Sequence, residues 1–441
     1  MVFSSSVFLL LFLPIVIAIY YNPVVKARNF RNVFLLLASL AFYAWGEPIF
    51  VFIMFASIAV NWGLALKISK TKLIIAIALD ISLLFVFKYA NFTASNLGLA
   101  IPKISLPIGI SFFTFQMLSY MIDVYRGKAQ SQKNFLNCAL YISLFPQLVA
   151  GPIVRYTDIE NQISNRRETW DDFCEGLKRF TVGMGKKLLI ANNCALAADA
   201  AFDSLGNGVE IGMAFAWLGA VAFTLQIFFD FSGYSDMAIG LGRMFGFRFL
   251  ENFNYPYISA SITEFWRRWH ISLSSWFRDY VYIPLGGSRV GNKSRLFLNL
   301  FVVWLLTGIW HGANWTFIAW GLGYFVFLAS EKFVLPVSKF PKPLAHIYTM
   351  LIVVCLWVVF KANSLDSAAD YYAVMFSGSL SISEDFWFYL NSLKLYFAFG
   401  ILFCFPVVKK PLPGIAYIVL FILCFMSVVK GGYNPFIYFN F

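Results

Sequence analysis

Charged residues are scarce in this sequence. They make up 13% of its 441 residues, against about a quarter in an ordinary soluble domain, while hydrophobic residues make up 60%. This balance excludes a soluble globular protein. Apolar runs of helical length recur along the chain, so we predict an all-α polytopic membrane protein. No polar stretch is long enough to separate two domains, and we expect one membrane-embedded domain over residues 1–441.

Histidine and closely spaced cysteines are equally rare. The chain has three histidines, His270, His311 and His346, and its six cysteines show no C-x-x-C spacing. Clusters of histidine and closely spaced cysteines build most zinc sites and disulfide frameworks, so we expect neither kind of site, and no bound cofactor. The sequence also lacks G-x-S-x-G, a P-loop and G-x-G-x-x-G, the usual nucleophile and nucleotide-binding motifs. Any chemistry therefore depends on histidine.

The distribution of positive charge indicates a membrane protein rather than a nucleic-acid-binding protein. The net charge is +12, but Lys and Arg lie mostly in the short gaps between apolar runs. The positive-inside rule puts such residues in cytoplasmic loops. We therefore expect the lipid bilayer, and no nucleic acid, as a partner.

The apolar runs predict the membrane spans. The first of them cover residues 1–25, 33–45, 48–66, 73–87 and 106–127. Basic clusters after the first and third runs place the amino terminus outside. Residues 155–187 mix charges of both signs and are predicted to form amphipathic interfacial or re-entrant helices. A clear span returns at residues 211–229, and sidedness beyond residue 155 is left open.

A set of polar residues follows that span directly. Asp230, Ser232, Tyr234 and Asp236 are set among apolar neighbours. Polar groups are costly in lipid unless they pair with each other or line a wet cavity. We favour an internal hydrogen-bond network that joins helices over a functional site.

Residues 296–330 contain no Lys, Arg, Asp or Glu, yet His311 lies near the middle in the string WHGANW. The window can hold one spanning helix and most of a second, with WHGANW at membrane depth or near a turn. An ionisable side chain there is a functional candidate. The alternative is a structural histidine that hydrogen-bonds between helices.

A second histidine lies in an aromatic and basic segment. Ser261 and Glu264 have capping-box spacing, so we predict one helix from about Ile262 to the stop at Pro284 and Gly286. On such a helix Arg267, His270 and Ser274 share one face, next to an aromatic face with Trp266, Trp269 and Trp276. The alternative is an interfacial helix whose Trp and Arg residues meet lipid headgroups.

Two histidines near arginine suggest proton transfer on an acyl or phosphoryl group. Burial disfavours the charged imidazole, so we expect His311 to be neutral at pH 7 and able to accept a proton from a hydroxyl.

Long strings of this sequence resemble the membrane-bound O-acyltransferase (MBOAT) family, and within it the branch of the alginate O-acetyltransferase membrane subunit. They include LPIGISFFTFQ, IDVYRG, FPQLVAGPIVR, DFSGYSDMAIGLG, ENFNYPYISASITEFWRRWHISLSSWFRDYVYIPLGG and GIWHGANW. The resemblance implies about eleven transmembrane helices plus re-entrant or interfacial helices around a central funnel. The family histidine at the base of the funnel maps onto His311, and the second family histidine maps onto His270.

The resemblance also implies a function. Members of this branch take an acetyl group from a cytoplasmic donor and pass it across the bacterial inner membrane, and the resemblance implies acetyl-CoA as the donor for this protein. A periplasmic or membrane-anchored partner acetyltransferase then esterifies an extracellular polymer. Alginate, peptidoglycan and cellulose remain open as acceptors, and so does D-alanyl transfer to a cell-wall polymer.

From these sources we expect particular roles for individual residues. His311 acts as general base or acyl-accepting residue, His270 with Arg267 orients donor or acceptor, and Asn314 polarises the carbonyl. Arg278 and the basic residues Arg289, Lys293 and Arg295 attract CoA phosphates, although such charges also suit a plain cytoplasmic loop. The other predicted substrate-binding residues are Trp266, Trp310 and Asp279. The rival hypotheses are a transporter and a non-catalytic scaffold.

Overall fold

The computed structural model describes residues 1–24, 26–149, 151–378, 382–408, 411–431, 433–435 and 437. These residues form helices and connecting loops, and none of them lies in a β-strand. The predicted all-α class is therefore confirmed. The chain divides into two compact units, Met1–Val182 with Tyr234–Glu251, and Gly183–Gly233 with Asn252–Phe441. A single domain over residues 1–441 stays a prediction.

The first unit holds the amino-terminal helices. They are α1 (Leu13–Tyr20), α2 (Arg28–Ala44), α3 (Phe50–Ala65), α4 (Lys70–Leu84), α5 (Ala90–Asn96), α6 (Ile110–Tyr125), α7 (Phe135–Ser143), α8 (Phe145–Leu148), α9 (Tyr156–Asn165) and most of α10 (Trp170–Gly185). A π-helical segment, Phe8–Phe12, leads into α1, and another, Phe85–Tyr89, joins α4 to α5. Val25, where the first predicted span ends, lies outside the described residues.

The second unit holds the remaining helices and both histidine motifs. They are α11 (Asn192–Gly206), α12 (Met213–Met244, of which residues 234–244 belong to the first unit), α13 (Ile262–Arg268), α14 (Ile271–Phe277), α15 (Lys293–His311), α16 (Trp315–Phe333), α17 (Lys342–Lys361), α18 (Leu365–Met375), α19 (Glu384–Phe403) and α20 (Gly414–Lys430). The π-helical segments Lys186–Ala191 and Arg278–Tyr282 precede α11 and follow α14.

Several of these helices are suited to a membrane. Five are long and apolar enough to cross one: Lys70–Asn96, Met213–Met244, Lys293–His311, Lys342–Lys361 and Glu384–Phe403. Shorter apolar helices cover Phe8–Tyr20, Phe50–Ala65 and Gly414–Lys430. The chain is therefore a multi-pass membrane protein.

The span predicted to end at residue 229 continues as helix for four more turns, so its predicted end is wrong. The reason is that the acidic residues beyond residue 229 have partners. The Asp230 carboxylate lies 2.8 Å from the Lys187 ammonium, and both side chains are buried in the second unit. In the first unit Asp236 lies 2.7 Å from the Arg179 guanidinium. The interpretation as a network that joins helices is confirmed for Asp230 and Asp236, since a buried charge is tolerated when it is paired.

The single helix predicted from Ile262 to Pro284 is also wrong. Helix α13 begins at Ile262 as predicted, and the Ser261 hydroxyl accepts a hydrogen bond from the Glu264 N–H (2.9 Å). The helix then ends at Arg268. Trp269 is extended, with φ −98° and ψ 130°, and His270 is left-handed, with φ 45° and ψ 54°. Arg267, His270 and Ser274 therefore do not share a helical face.

Hydrogen bonds from a distant segment explain this break. The Ile271 N–H donates to the Asn252 carbonyl, and the Asn254 N–H donates to the Arg268 carbonyl, both at 2.9 Å. Backbone groups that leave the helical pattern need such partners, because an unpaired buried polar group is costly. The Trp269 ring packs against Phe253 and Trp357 at centroid distances of 5.1 and 5.0 Å. The break is thus stabilised by both polar and aromatic contacts.

The WHGANW motif, which carries His311, forms a turn between two helices. A turn is one of the two placements that the sequence predicts for this motif. Helix α15 ends at His311, and α16 begins at Trp315. The two helices are in close contact, since a Cβ at Gly321 would lie 2.5 Å from the Trp304 carbonyl oxygen. Glycine is therefore required where these helices cross.

Glu331, in the last turn of α16, joins that helix to α13. Its carboxylate accepts hydrogen bonds from the Ile262 N–H (2.6 Å) and from the Thr263 N–H (2.9 Å) and hydroxyl (2.6 Å). The first N–H groups of a helix have no partner within the helix and carry partial positive charge, so a carboxylate stabilises them. Helix α16 therefore fixes the start of α13.

The predicted helices within residues 155–187 are present as α9 and α10. Their charges are paired within the first unit. Asp172 accepts from Arg243 at 2.9 Å and from Arg248 at 3.3 Å. Glu168 accepts from Arg28 and lies 3.2 Å from Arg31. These contacts explain how so polar a segment is accommodated in a membrane protein.

The left-handed backbone of His270 predicts an unusual order of stability. We expect His270→Gly to be more stable than His270→Ala by about 1 kcal/mol, because both variants lose the imidazole and only alanine keeps a Cβ at positive φ. Thermal unfolding in detergent measures the difference. Ser274, inside α14, is the control, since there alanine should be the more stable variant. A His270→Ala variant at least as stable as His270→Gly would contradict a strained backbone.

Candidate active site

His311 lies inside a ring of aromatic side chains. Its imidazole centroid is 5.0 Å from Trp310, 4.8 Å from Trp320 and 5.3 Å from Phe360, each at a steep interplanar angle. The residue is 4% exposed. The imidazole therefore faces the protein interior and not the hydrocarbon of the membrane.

His270 is brought to the same place by the break between α13 and α14. It is 1% exposed, and its ring centroid lies 6.2 Å from Trp310 and 6.2 Å from Phe253. One indole, that of Trp310, thus contacts both imidazoles. His270, Trp310 and His311 are the predicted site residues that the structure brings together.

Burial controls the ionisation of His270, which lies outside the membrane-spanning helices. Desolvation lowers the pKa of this imidazole from 6.5 to about 3. A neutral imidazole has one N–H donor and one acceptor nitrogen. His270 can therefore orient a hydroxyl or a carbonyl near neutral pH without carrying a charge.

Two polar residues that the sequence motifs do not reveal lie in this part of the site, Ser272 in contact with His270 and Asn252 in contact with Ser272. Ser272 Oγ lies 3.5 Å from His270 Nδ1 and donates to Asn252 Oδ1 at 2.9 Å. Asn252 lies in the segment that holds the helix break, well before His270 in the chain. Its only sequence signal is its place inside the string ENFNYPYISAS, which reveals no partner.

Trp266 belongs to the same aromatic cluster but is one ring further away. Its centroid is 5.7 Å from Trp320, which in turn contacts His311, and 4.9 Å from Tyr324. The ring is buried. Trp266 thus supports the enclosure around His311 through Trp320.

Asn314 has a structural task in the turn after His311. Its side-chain oxygen accepts from the Thr316 N–H (3.1 Å) and caps α16, while its amide nitrogen donates to the Asn363 carbonyl (2.9 Å). These two contacts fix the turn that carries His311. A role for Asn314 in polarising a carbonyl stays a prediction.

The predicted charged residues lie at the surface. Arg267 is exposed on the last turn of α13. Arg278 makes a bidentate pair with Asp279, with distances of 2.6 and 3.0 Å, and its side chain is 61% exposed. Lys293 begins the helix that His311 ends, so the helical rise separates the two residues by about 27 Å. The structure therefore does not bring Lys293 to His311.

The third histidine lies elsewhere. His346 Nδ1 contacts the Ser259 carbonyl at 3.1 Å. Within the described ranges, no group of three or more His, Cys, Asp and Glu side chains could hold a metal ion. The candidate site thus consists of imidazoles, indoles and neutral polar groups.

Comparison with known proteins places this site in a family. The model of the membrane-bound O-acyltransferase family matches residues 55–367, which include both His270 and His311. The probable alginate O-acetylase AlgI of Pseudomonas aeruginosa is 47% identical over 408 residues, covering 87% of this chain and 76% of that protein. The corresponding protein of Azotobacter vinelandii is 45% identical over 418 residues, covering 90% of this chain and 82% of that protein.

A relative named for another substrate is also similar. The peptidoglycan O-acetyltransferase of Helicobacter pylori is 36% identical over 416 residues, covering 83% of this chain and 78% of that protein. The family resemblance seen in the sequence is confirmed by these matches, each of which spans most of both chains. The chain belongs to the membrane-bound O-acyltransferase family.

Proposed function

We propose that this protein is a membrane O-acetyltransferase that passes an acetyl group across the bacterial inner membrane for the O-acetylation of an extracellular polysaccharide. The observation that carries the proposal is the pair of buried imidazoles that both contact Trp310, inside the segment that matches an acyltransferase family. The names of the relatives, an alginate O-acetylase and a peptidoglycan O-acetyltransferase, support the acetyl group and a polysaccharide acceptor.

In the proposed reaction His311 is the general base. Its imidazole takes the proton of the acceptor hydroxyl while the oxygen attacks the carbonyl carbon of the acetyl thioester. The new C–O bond replaces the C–S bond, and the thiolate leaves with the proton from the imidazole. An alternative in which His311 itself accepts the acetyl group uses the same enclosure. Exclusion of water by the surrounding rings favours acyl transfer over hydrolysis in both cases.

Acetyl-CoA is the proposed donor, on the cytoplasmic side. Arg289, Lys293 and Arg295 are exposed around the start of α15, and such basic residues are typical of cytoplasmic ends. Arg278 is a further exposed cation for CoA phosphates. Helix α15 rises about 27 Å, close to the thickness of the hydrocarbon core. Donor charges at one end and His311 at the other suit transfer across the membrane.

The finer architecture and the partner belong to the same proposal. We infer about eleven crossing helices around a funnel, supported by the five long and three shorter apolar helices. A periplasmic or membrane-anchored acetyltransferase would receive the acetyl group and esterify the polymer. Alginate and peptidoglycan, the polymers named for the relatives, and cellulose are the candidate acceptors.

Replacing His311 tests the enzymatic function directly. Purified protein with labelled acetyl-CoA and an acceptor that supplies the hydroxyl, such as the polysaccharide or the partner acetyltransferase, should consume the thioester, and His311→Ala should reduce turnover by about 10²–10⁴-fold, the usual contribution of general acid–base catalysis. His346→Ala is the matched control, since that histidine is outside the aromatic enclosure, and it should keep wild-type turnover. A transporter or a scaffold would leave turnover at background with and without His311.

The burial of His270 predicts how stability depends on pH. Its pKa is lowered to about 3 in the folded protein, so between pH 6.5 and 3 only the unfolded state binds the proton, and stability falls as the pH falls. At pH 5 the loss from this group is about 2 kcal/mol. Melting temperatures at pH 7.5 and 5 should therefore drop more for wild type than for His270→Gln. Equal drops would mean that His270 can be protonated in the folded state.

A further inference from the structure

Three buried side chains form a connected row that ends at His270. Asn252, Ser272 and His270 are 1%, 5% and 1% exposed. Asn252 Oδ1 accepts from the Ser272 N–H at 3.1 Å and from the Ser272 hydroxyl at 2.9 Å, and Ser272 Oγ lies 3.5 Å from His270 Nδ1. All three belong to the second unit.

The donors in this row determine where its protons are. A backbone N–H can only donate, so the atom of Asn252 that faces the Ser272 N–H must be the amide oxygen. That oxygen can only accept, so the Ser272 hydroxyl donates its single proton to it. The serine oxygen then has only lone pairs left for His270. This pattern assigns the imidazole proton to Nδ1, which faces Ser272 Oγ at 3.5 Å, the outer limit of a hydrogen bond.

This assignment leaves Nε2 as the acceptor nitrogen of a neutral ring. Within the part of the chain that the structure describes, His270 Nε2 is buried and has no hydrogen-bond partner. An unsatisfied buried acceptor is costly unless something else supplies the donor. The same ring is the one that lies against Trp310, next to His311.

We propose that Asn252 and Ser272 are positioning residues that hold His270 in the Nδ1–H tautomer, so that Nε2 accepts a hydrogen bond from the hydroxyl that is to be acetylated. This rests on the proposed function. His270 orients the acceptor oxygen, and His311 removes its proton. Second-sphere partners fix tautomer and ring orientation in the same way in metal-binding and catalytic histidines.

Changes to the Asn252 and Ser272 side chains should leave the helix break intact, because main-chain hydrogen bonds hold it. The hydrogen bond from the Ile271 N–H to Asn252 uses the asparagine main-chain carbonyl, so it survives any change of the Asn252 side chain. Removing the Ser272 hydroxyl deletes one atom and likewise leaves that backbone bond in place. The helix break should thus persist in these variants while the tautomer is released.

The test combines imidazole spectroscopy with kinetics. The chain has only three histidines, so selective ¹⁵N labelling of the rings gives few signals, and His270→Gln identifies those of His270. His346 is an internal reference, because the Ser259 carbonyl at 3.1 Å requires its Nδ1 to carry the proton. Wild-type His270 should show the same tautomer as His346.

Ser272→Ala should populate the Nε2–H form and lower kcat about 10- to 100-fold with little change in KM for acetyl-CoA. Ser272→Thr keeps the hydroxyl and should restore both readouts, and Asn252→Leu should repeat the effect of Ser272→Ala. If His270 in the wild-type protein carries its proton on Nε2, the proposal is wrong. An unchanged kcat in Ser272→Ala would also overturn it. By contrast, unchanged turnover in His311→Ala would overturn the proposed enzymatic function but would not contradict the tautomer assignment.

Discussion

The hydrogen bonds between the segment around Asn252 and the start of α14 are the constraint on which the site depends. A helix break inside a membrane protein exposes backbone groups that water cannot satisfy, so it persists only where other protein groups take their place. Here the Asn252 main-chain carbonyl accepts from the Ile271 N–H, and the Arg268 carbonyl accepts from the Asn254 N–H. Without these partners the chain would continue as helix, and His270 would lie at another position.

Both imidazoles owe their positions to helix ends. His270 lies in the break between α13 and α14, and His311 is the last residue of α15. An asparagine lies at each place: the Asn252 carbonyl accepts from the Ile271 N–H, and Asn314 caps the start of α16 shortly after His311. The aromatic rings then fill the space around the imidazoles, with Trp310 shared by the two. Polar groups thus set the backbone, and apolar groups exclude water from the chemistry.

The sequence predicts the membrane class, the start of α13 near Ile262, a turn as one of two placements of WHGANW, and both histidines, because each rests on local composition or spacing. It does not predict the break at Trp269, since the surrounding residues suit a helix and the cause lies in Asn252 and Phe253. The continuation of α12 past residue 229 is missed for a similar reason. Lys187 and Arg179, which make its acidic residues tolerable, come from other parts of the chain. The predicted helical face with Arg267 and His270 is wrong, because the helix on which it depends ends at Arg268.

Helix α16 has a mechanical consequence for the site. It starts at the cap that follows His311, and its last turn holds the first N–H groups of α13, the helix that leads to His270. A helix of this length behaves as a stiff rod, so a tilt of α16 would displace both imidazoles at once. The placement of α16 therefore couples the position of one ring to that of the other.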